Sequence, residues 1–210
     1  MNNLAGEPRT HETGTSPINT LALNKKGTHF ATGTEGMMVA YHSFPECEFV
    51  KNLTRAQTPI QHVAFDPKGR NLAVAADDGM IRYYNIAAAQ YGPPLKGHAD
   101  SVLCVAFDPK GEFLASSSAD GTLKIWDITD DPTCVKTIKL TGRVTPGAGQ
   151  QLRIAWHPEG ESLAVPYASG VNVLERGTWT SAQTLSINGH SKEVSVVAWS
   201  PNGAPALPPS

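Results

Sequence analysis

Charge is sparse in this chain: 17% of its residues are Asp, Glu, Lys or Arg, and the net charge is −2. Nucleic-acid surfaces need a clustered basic face. Arg55, Arg70, Arg82, Arg143 and Arg153 are scattered without interleaved aromatics, so direct nucleic-acid contact is not expected. Cysteine is scarcer still. Cys47, Cys104 and Cys134 are far apart, odd in number and without a CxxC pair. That pattern argues against a disulfide framework or a zinc site and for reduced thiols inside a cell. The seven histidines have no HxxxH spacing, so no metal or other cofactor is expected. His62 and His157 sit beside strands and are expected at the surface. Long hydrophobic runs are missing too, which predicts no membrane span. Residues 1–30 hold no apolar block behind a basic start, so no signal peptide is expected. Neither a GxxxxGK[ST] nor a GxSxG motif occurs, which removes the P-loop and the nucleophile elbow.

What the chain does have is a repeat. Residues 97–127 read GHADSVLCVAFDPKGEFLASSSADGTLKIWD. Three short apolar segments are joined by the turns Asp108-Pro109-Lys110-Gly111 and Ser118-Ala119-Asp120-Gly121, which predicts an antiparallel meander. The Gly97-His98 opening and the Trp126-Asp127 close are marks of a WD repeat, one blade of a β-propeller. Its first turn recurs at Asn24–Gly27, Asp66–Gly69, His157–Gly160 and Ser200–Gly203. The terminal glycines at 27, 69, 111, 160 and 203 are spaced 42, 42, 49 and 43 residues apart, close to the ~40–45 of WD repeats.

The expected fold is therefore all-β, an incomplete WD-repeat β-propeller of about four blades plus one strand of a fifth. Residues 1–16 are expected as a flexible lead-in, 17–203 as the partial propeller, and 204–210 as a Pro-rich disordered tail. Three prolines in those last seven residues cannot continue a sheet ladder, so the ring is expected to be truncated. Outer fourth strands are expected near 48–53, 133–140 and 182–187. The long third interval holds Thr141–Gln150, TGRVTPGAGQ. This segment is either an ordinary solvated insertion or a binding loop with Arg143 at its tip.

Ser118, His98 and Asp120 together invite a hydrolase reading. In a WD blade, however, His98, Ser118, Asp120 and Trp126 form a structural hydrogen-bond network that fixes how one strand enters the sheet. The other blades retain little of it. Blade one offers Glu35-Gly36 for Asp-Gly and Tyr41-His42 for Trp-Asp, blade two Asp78-Gly79 and Tyr84-Asn85, and blade four Leu174-Glu175. A non-enzymatic protein is expected.

Several stretches together resemble one WD-repeat family: YHSFPE at 41–46, HVAFDPKG at 62–69, RIAWHPEGESLAVP at 153–166, VNVLERGTW at 171–179 and VVAWSPNG at 196–203. Their order is similar to the amino-terminal propeller of the replication-fork adaptors, known as minichromosome loss, chromosome transmission fidelity, or WD-repeat and HMG-box DNA-binding proteins. The resemblance implies a nuclear scaffold that couples the replicative helicase to DNA polymerase alpha and other fork proteins. The middle propeller and the HMG box that carry much of that family's activity are absent from these residues. Another WD adaptor, such as a ubiquitin-ligase substrate receptor or a histone-binding propeller, is the alternative.

Overall fold

The computed structural model describes residues 16–140, 152–167, 170–186 and 194–203. They form sixteen strands in four four-stranded antiparallel sheets, each ordered as the chain runs. Blade one holds β1 (Ile18–Leu23), β2 (His29–Thr34), β3 (Met38–Ser43) and β4 (Phe49–Arg55). Blade two holds β5 (Ile60–Phe65), β6 (Asn71–Ala76), β7 (Ile81–Asn85) and β8 (Gln90–Tyr91). Blade three holds β9 (Val102–Phe107), β10 (Phe113–Ser118), β11 (Thr122–Asp127) and β12 (Thr133–Lys139). Blade four holds β13 (Ala155–Trp156), β14 (Ser162–Tyr167), β15 (Gly170–Glu175) and β16 (Ser181–Ser186). Four four-stranded blades in sequence make an incomplete WD propeller, as the repeat predicts.

The repeating turn has a physical cause. In three blades its first side chain caps the two amides that open the next strand. Asn24 Oδ1 accepts from Thr28 N–H (2.9 Å) and His29 N–H (3.3 Å). Asp66 Oδ1 accepts from Arg70 N–H (2.7 Å) and Asn71 N–H (3.1 Å). Asp108 Oδ1 accepts from Glu112 N–H (2.7 Å) and Phe113 N–H (2.8 Å). The turn then needs a left-handed residue, and Gly27, Gly69, Gly111, Gly160 and Gly203 all take φ between 63° and 76°.

Strand alternation builds the core between blades. Successive side chains of a strand point to opposite faces. Leu72, Val74 and Ala76 of β6 therefore pack with Ile60 and Val39 toward blade one, while Ala73 and Ala75 pack with Val102 and Val105 toward blade three. Ala115 in turn faces Leu163 and Trp156 of blade four. Buried on both faces, the middle strands are apolar or small throughout. Each blade's first strand lies beside the next, and Arg153 forms an isolated parallel bridge to Val196 in the opening segment of the following repeat. Parallel first strands put all the first turns on one rim of the arc. Leu21 of β1 stays 60% exposed where its counterparts Val63 and Val105 are at most 1% exposed. Among the described residues, nothing covers that face.

Blade two has a fourth strand that no sequence signal marked; β8 is two residues long because Pro93 and Pro94 follow it and cannot donate to a ladder. Two sequence expectations are corrected. Phe30 pairs with His42 as Leu114 pairs with Trp126, so His42-Ser43 stands in the Trp-Asp place, one residue later than the expected Tyr41-His42. Likewise Met37, at φ 66°, occupies the left-handed turn position held by Gly79 and Gly121. The expected Glu35-Gly36 is again one residue early. The loop tip at Arg143 and the Pro-rich 204–210 lie outside the described residues.

Candidate functional site

In blade three, side-chain hydrogen bonds link His98, Asp120, Ser116 and Trp126. His98 Nδ1 lies 2.9 Å from Asp120 Oδ2, and His98 Nε2 lies 2.8 Å from Ser116 Oγ. Trp126 Nε1–H donates to the same Ser116 Oγ at 2.8 Å. Ser116, not Ser118, is therefore the hydroxyl that joins His98 to Trp126. Ser118 Oγ instead donates to the Asp100 carbonyl (3.0 Å) and accepts from Asp120 N–H (3.1 Å), tightening the turn. The two serines lie two residues apart on one strand, so only register separates them.

Every proton in this network has a place. Burial alone would raise the Asp120 carboxyl, but bonds from the Thr122 hydroxyl, the Ala99 amide and His98 hold it at about 2. Asp120 is then an anion that accepts His98 Nδ1–H. Burial lowers the His98 pKa, against the pull of Asp120, so the ring is neutral and its Nε2 accepts the Ser116 hydroxyl hydrogen. That leaves the Ser116 oxygen to accept from Trp126. Ser116 and Ser118 are both fully buried, so neither hydroxyl presents an open face for attack on a substrate. The network joins strands, with its serine hydroxyls closed to solvent.

In blade two Ala56 rather than a histidine precedes the first strand, and Asp78 pairs with Arg82 instead. Asp77 ties blade two to blade three by accepting from Gln61 Nε2 (2.8 Å) and Ser101 Oγ (2.5 Å). Among the described residues no cluster of His, Cys, Asp or Glu has the make-up of a metal site.

Around the axis runs a second network that sequence reasoning missed. Seven residues before the first four turn glycines stand Thr20, His62, Cys104 and Arg153. Val63 N–H donates to Thr20 Oγ1 at 3.4 Å, and Val105 N–H donates to His62 Nδ1 at 3.3 Å. The Ile154 amide bonds the Cys104 thiol, whose pKa burial pushes up to about 11. Side chains of one blade thus cap the backbone of the next. His62 belongs to this seam, so its expectation as a surface residue is corrected; the signal was its periodic position. His157 is likewise half-buried, its ring edge-on to Trp199 at 4.9 Å.

The seam predicts acid sensitivity. Burial, with the nearby Arg153 charge, lowers the His62 pKa to about 3. The unfolded chain takes up that proton near pH 6.5 and the folded chain does not, so stability is lost as pH falls below that point. Between pH 7 and pH 5 the loss is expected to reach about 2 kcal/mol. His98, also lowered, adds in the same direction. Denaturant melts of His62→Gln should show a flatter pH profile; an unchanged profile would remove His62 as the cause.

Blade four is clamped to blade three by Arg176. Its Nη1 lies 2.7 Å from Asp108 Oδ2 and its Nη2 2.5 Å from Glu112 Oε2. The guanidinium also sits 4.8 Å above the Phe113 ring. Trp179 meets Phe113 and Trp156 edge-on at 5.1 and 5.8 Å. The equivalent positions in blades two and three are Ile86 and Ile128, so the RGTW motif puts a cation where its neighbours are apolar. The family described as WDHD1 first WD40 domain matches residues 4–205. The chain belongs to that family. Protein hir1 of Schizosaccharomyces pombe (strain 972 / ATCC 24843) is 35% identical over 37% of this chain, a match spanning 8% of hir1's own length.

WD40 domains of this kind are in general protein-interaction scaffolds, and their surfaces are where function resides. One rim of the WDHD1-family domain carries a cavity of about 330 Å³. Leu23, Phe65 and Phe107 wall it, and the turn residues Pro67, Pro109 and Pro158 frame it. Lys25 and Asp66 also line it, and Lys26, Lys68, Arg70 and Lys110 are exposed on the same turns. Sequence reasoning used these turns only as a ruler.

Proposed function

We propose that this chain is part of a nuclear, non-enzymatic adaptor that couples the replicative helicase to DNA polymerase alpha during chromosome replication. The family match across residues 4–205 carries this reading. The buried, internally satisfied blade network supports it, because the most enzyme-like residues in the chain are already committed to holding strands together. The partners bind proteins through blade rims on this reading, and no cofactor takes part.

The test is affinity purification of the tagged chain from replicating cells, with imaging of its location. Recovery of helicase and polymerase alpha subunits from a nuclear pool is the expected result. Recovery of ubiquitin-ligase subunits or histones without fork proteins would replace this reading with another WD adaptor.

A further inference from the structure

The rim cavity has a chemistry that narrows what fits it. It is lined by Leu23, Phe65 and Phe107, by Pro67, Pro109 and Pro158, and by Lys25 and Asp66. The turns of the first three blades are basic toward solvent: Lys25, Lys26, Lys68, Arg70 and Lys110 are all exposed. Among the acidic groups of the same turns, Asp66 and Asp108 are buried and cap their own turns, and Glu112 is paired with Arg176. Glu159 and Glu161 of the fourth turn are exposed, so the excess of cations lies on the first three turns. A chain of net charge −2 thus carries five exposed cations on the three turns whose residues line this hollow.

We propose that this rim docks an acidic peptide segment carrying one apolar anchor, a partner chemistry that rests on the scaffold reading above. The anchor enters the hollow and the flanking carboxylates meet the lysines. Capped, proline-containing turns lose little freedom on binding. Carbonyls of the prolines add acceptors without competing N–H groups. A nucleic acid suits the site less well. Phosphates need only the charge, and stacking needs open rings, yet Phe107 already packs edge-on against Tyr83 at 5.9 Å and Phe65 lies tilted against Tyr41 at 6.2 Å.

The test uses the full chain and a fluorescent synthetic peptide of Asp and Glu around a single phenylalanine, followed by anisotropy. Binding is expected to weaken as salt rises. The triple variant Lys25→Glu, Lys68→Glu, Lys110→Glu should lose at least about tenfold in affinity. Its melting temperature should hold, since all three side chains are exposed. Replacing the peptide's phenylalanine with alanine should cost a similar factor. Equal binding by the triple variant, or by the anchorless peptide, would overturn the proposal. So would tighter binding of a single-stranded oligonucleotide, or concentration-dependent dimerisation through the same lysines. No probe binding alongside intact fork-protein recovery overturns the rim proposal alone; probe binding without fork-protein recovery overturns only the partner assignment.

Discussion

Arg176→Met is expected to destabilise the protein by about 3–5 kcal/mol, the range for removing one partner of a buried ion pair. Asp108 is fully buried, and its Oδ1 is occupied by the turn amides of Glu112 and Phe113. Its Oδ2 faces the Arg176 guanidinium at 2.7 Å, so methionine would leave that charge in the blade interface with its principal cation gone. Methionine keeps most of the packing over Phe113, which isolates the electrostatic loss. Glu112→Gln is expected to cost no more than about 1 kcal/mol, because Glu112 is 51% exposed and solvent screens the pair. Equilibrium denaturation of the full chain checks both, and a double-mutant cycle with Asp108→Asn gives the coupling. An Arg176→Met variant within about 1 kcal/mol of the parent would show that the clamp adds no stability.

Ser116→Ala is the second large effect. One hydroxyl serves two buried partners, accepting from Trp126 Nε1–H and donating to His98 Nε2. Alanine orphans both, and each unsatisfied buried group costs about 1–3 kcal/mol, so a loss of about 3 kcal/mol is expected. Ser118→Ala removes a hydroxyl bound to the Asp100 carbonyl and the Asp120 amide. Those backbone groups lie near the surface and can be met by water, so about 1 kcal/mol is expected. The order of the two variants is the decisive reading. Should Ser118→Ala be the more damaging, the proton assignment across His98, Ser116 and Trp126 is wrong. His98→Ala should fall between them, at about 1–3 kcal/mol. None of the three should act through loss of an enzymatic activity.

The repeat itself was legible in the residues. Turn glycines at 27, 69, 111, 160 and 203 need φ above zero, a local requirement that glycine meets at least cost. Alternating apolar residues define each strand without reference to any neighbour. Together these local signals place the blades, the rim that holds their first turns, and the His98–Asp120 pair of the most regular repeat. Register and cross-blade partners are different, because they depend on what a strand meets after the ring forms. The choice of Ser116 over Ser118 follows from strand register, since both residues have the same chemistry and lie two apart on one face. The placing of His42 and Met37 turned on a one-residue shift for the same reason. The His62 seam, the Arg176 clamp and the basic hollow between turns join residues about 40 to 70 positions apart along the chain. No local pattern encodes such contacts; packing one blade against the next decides them.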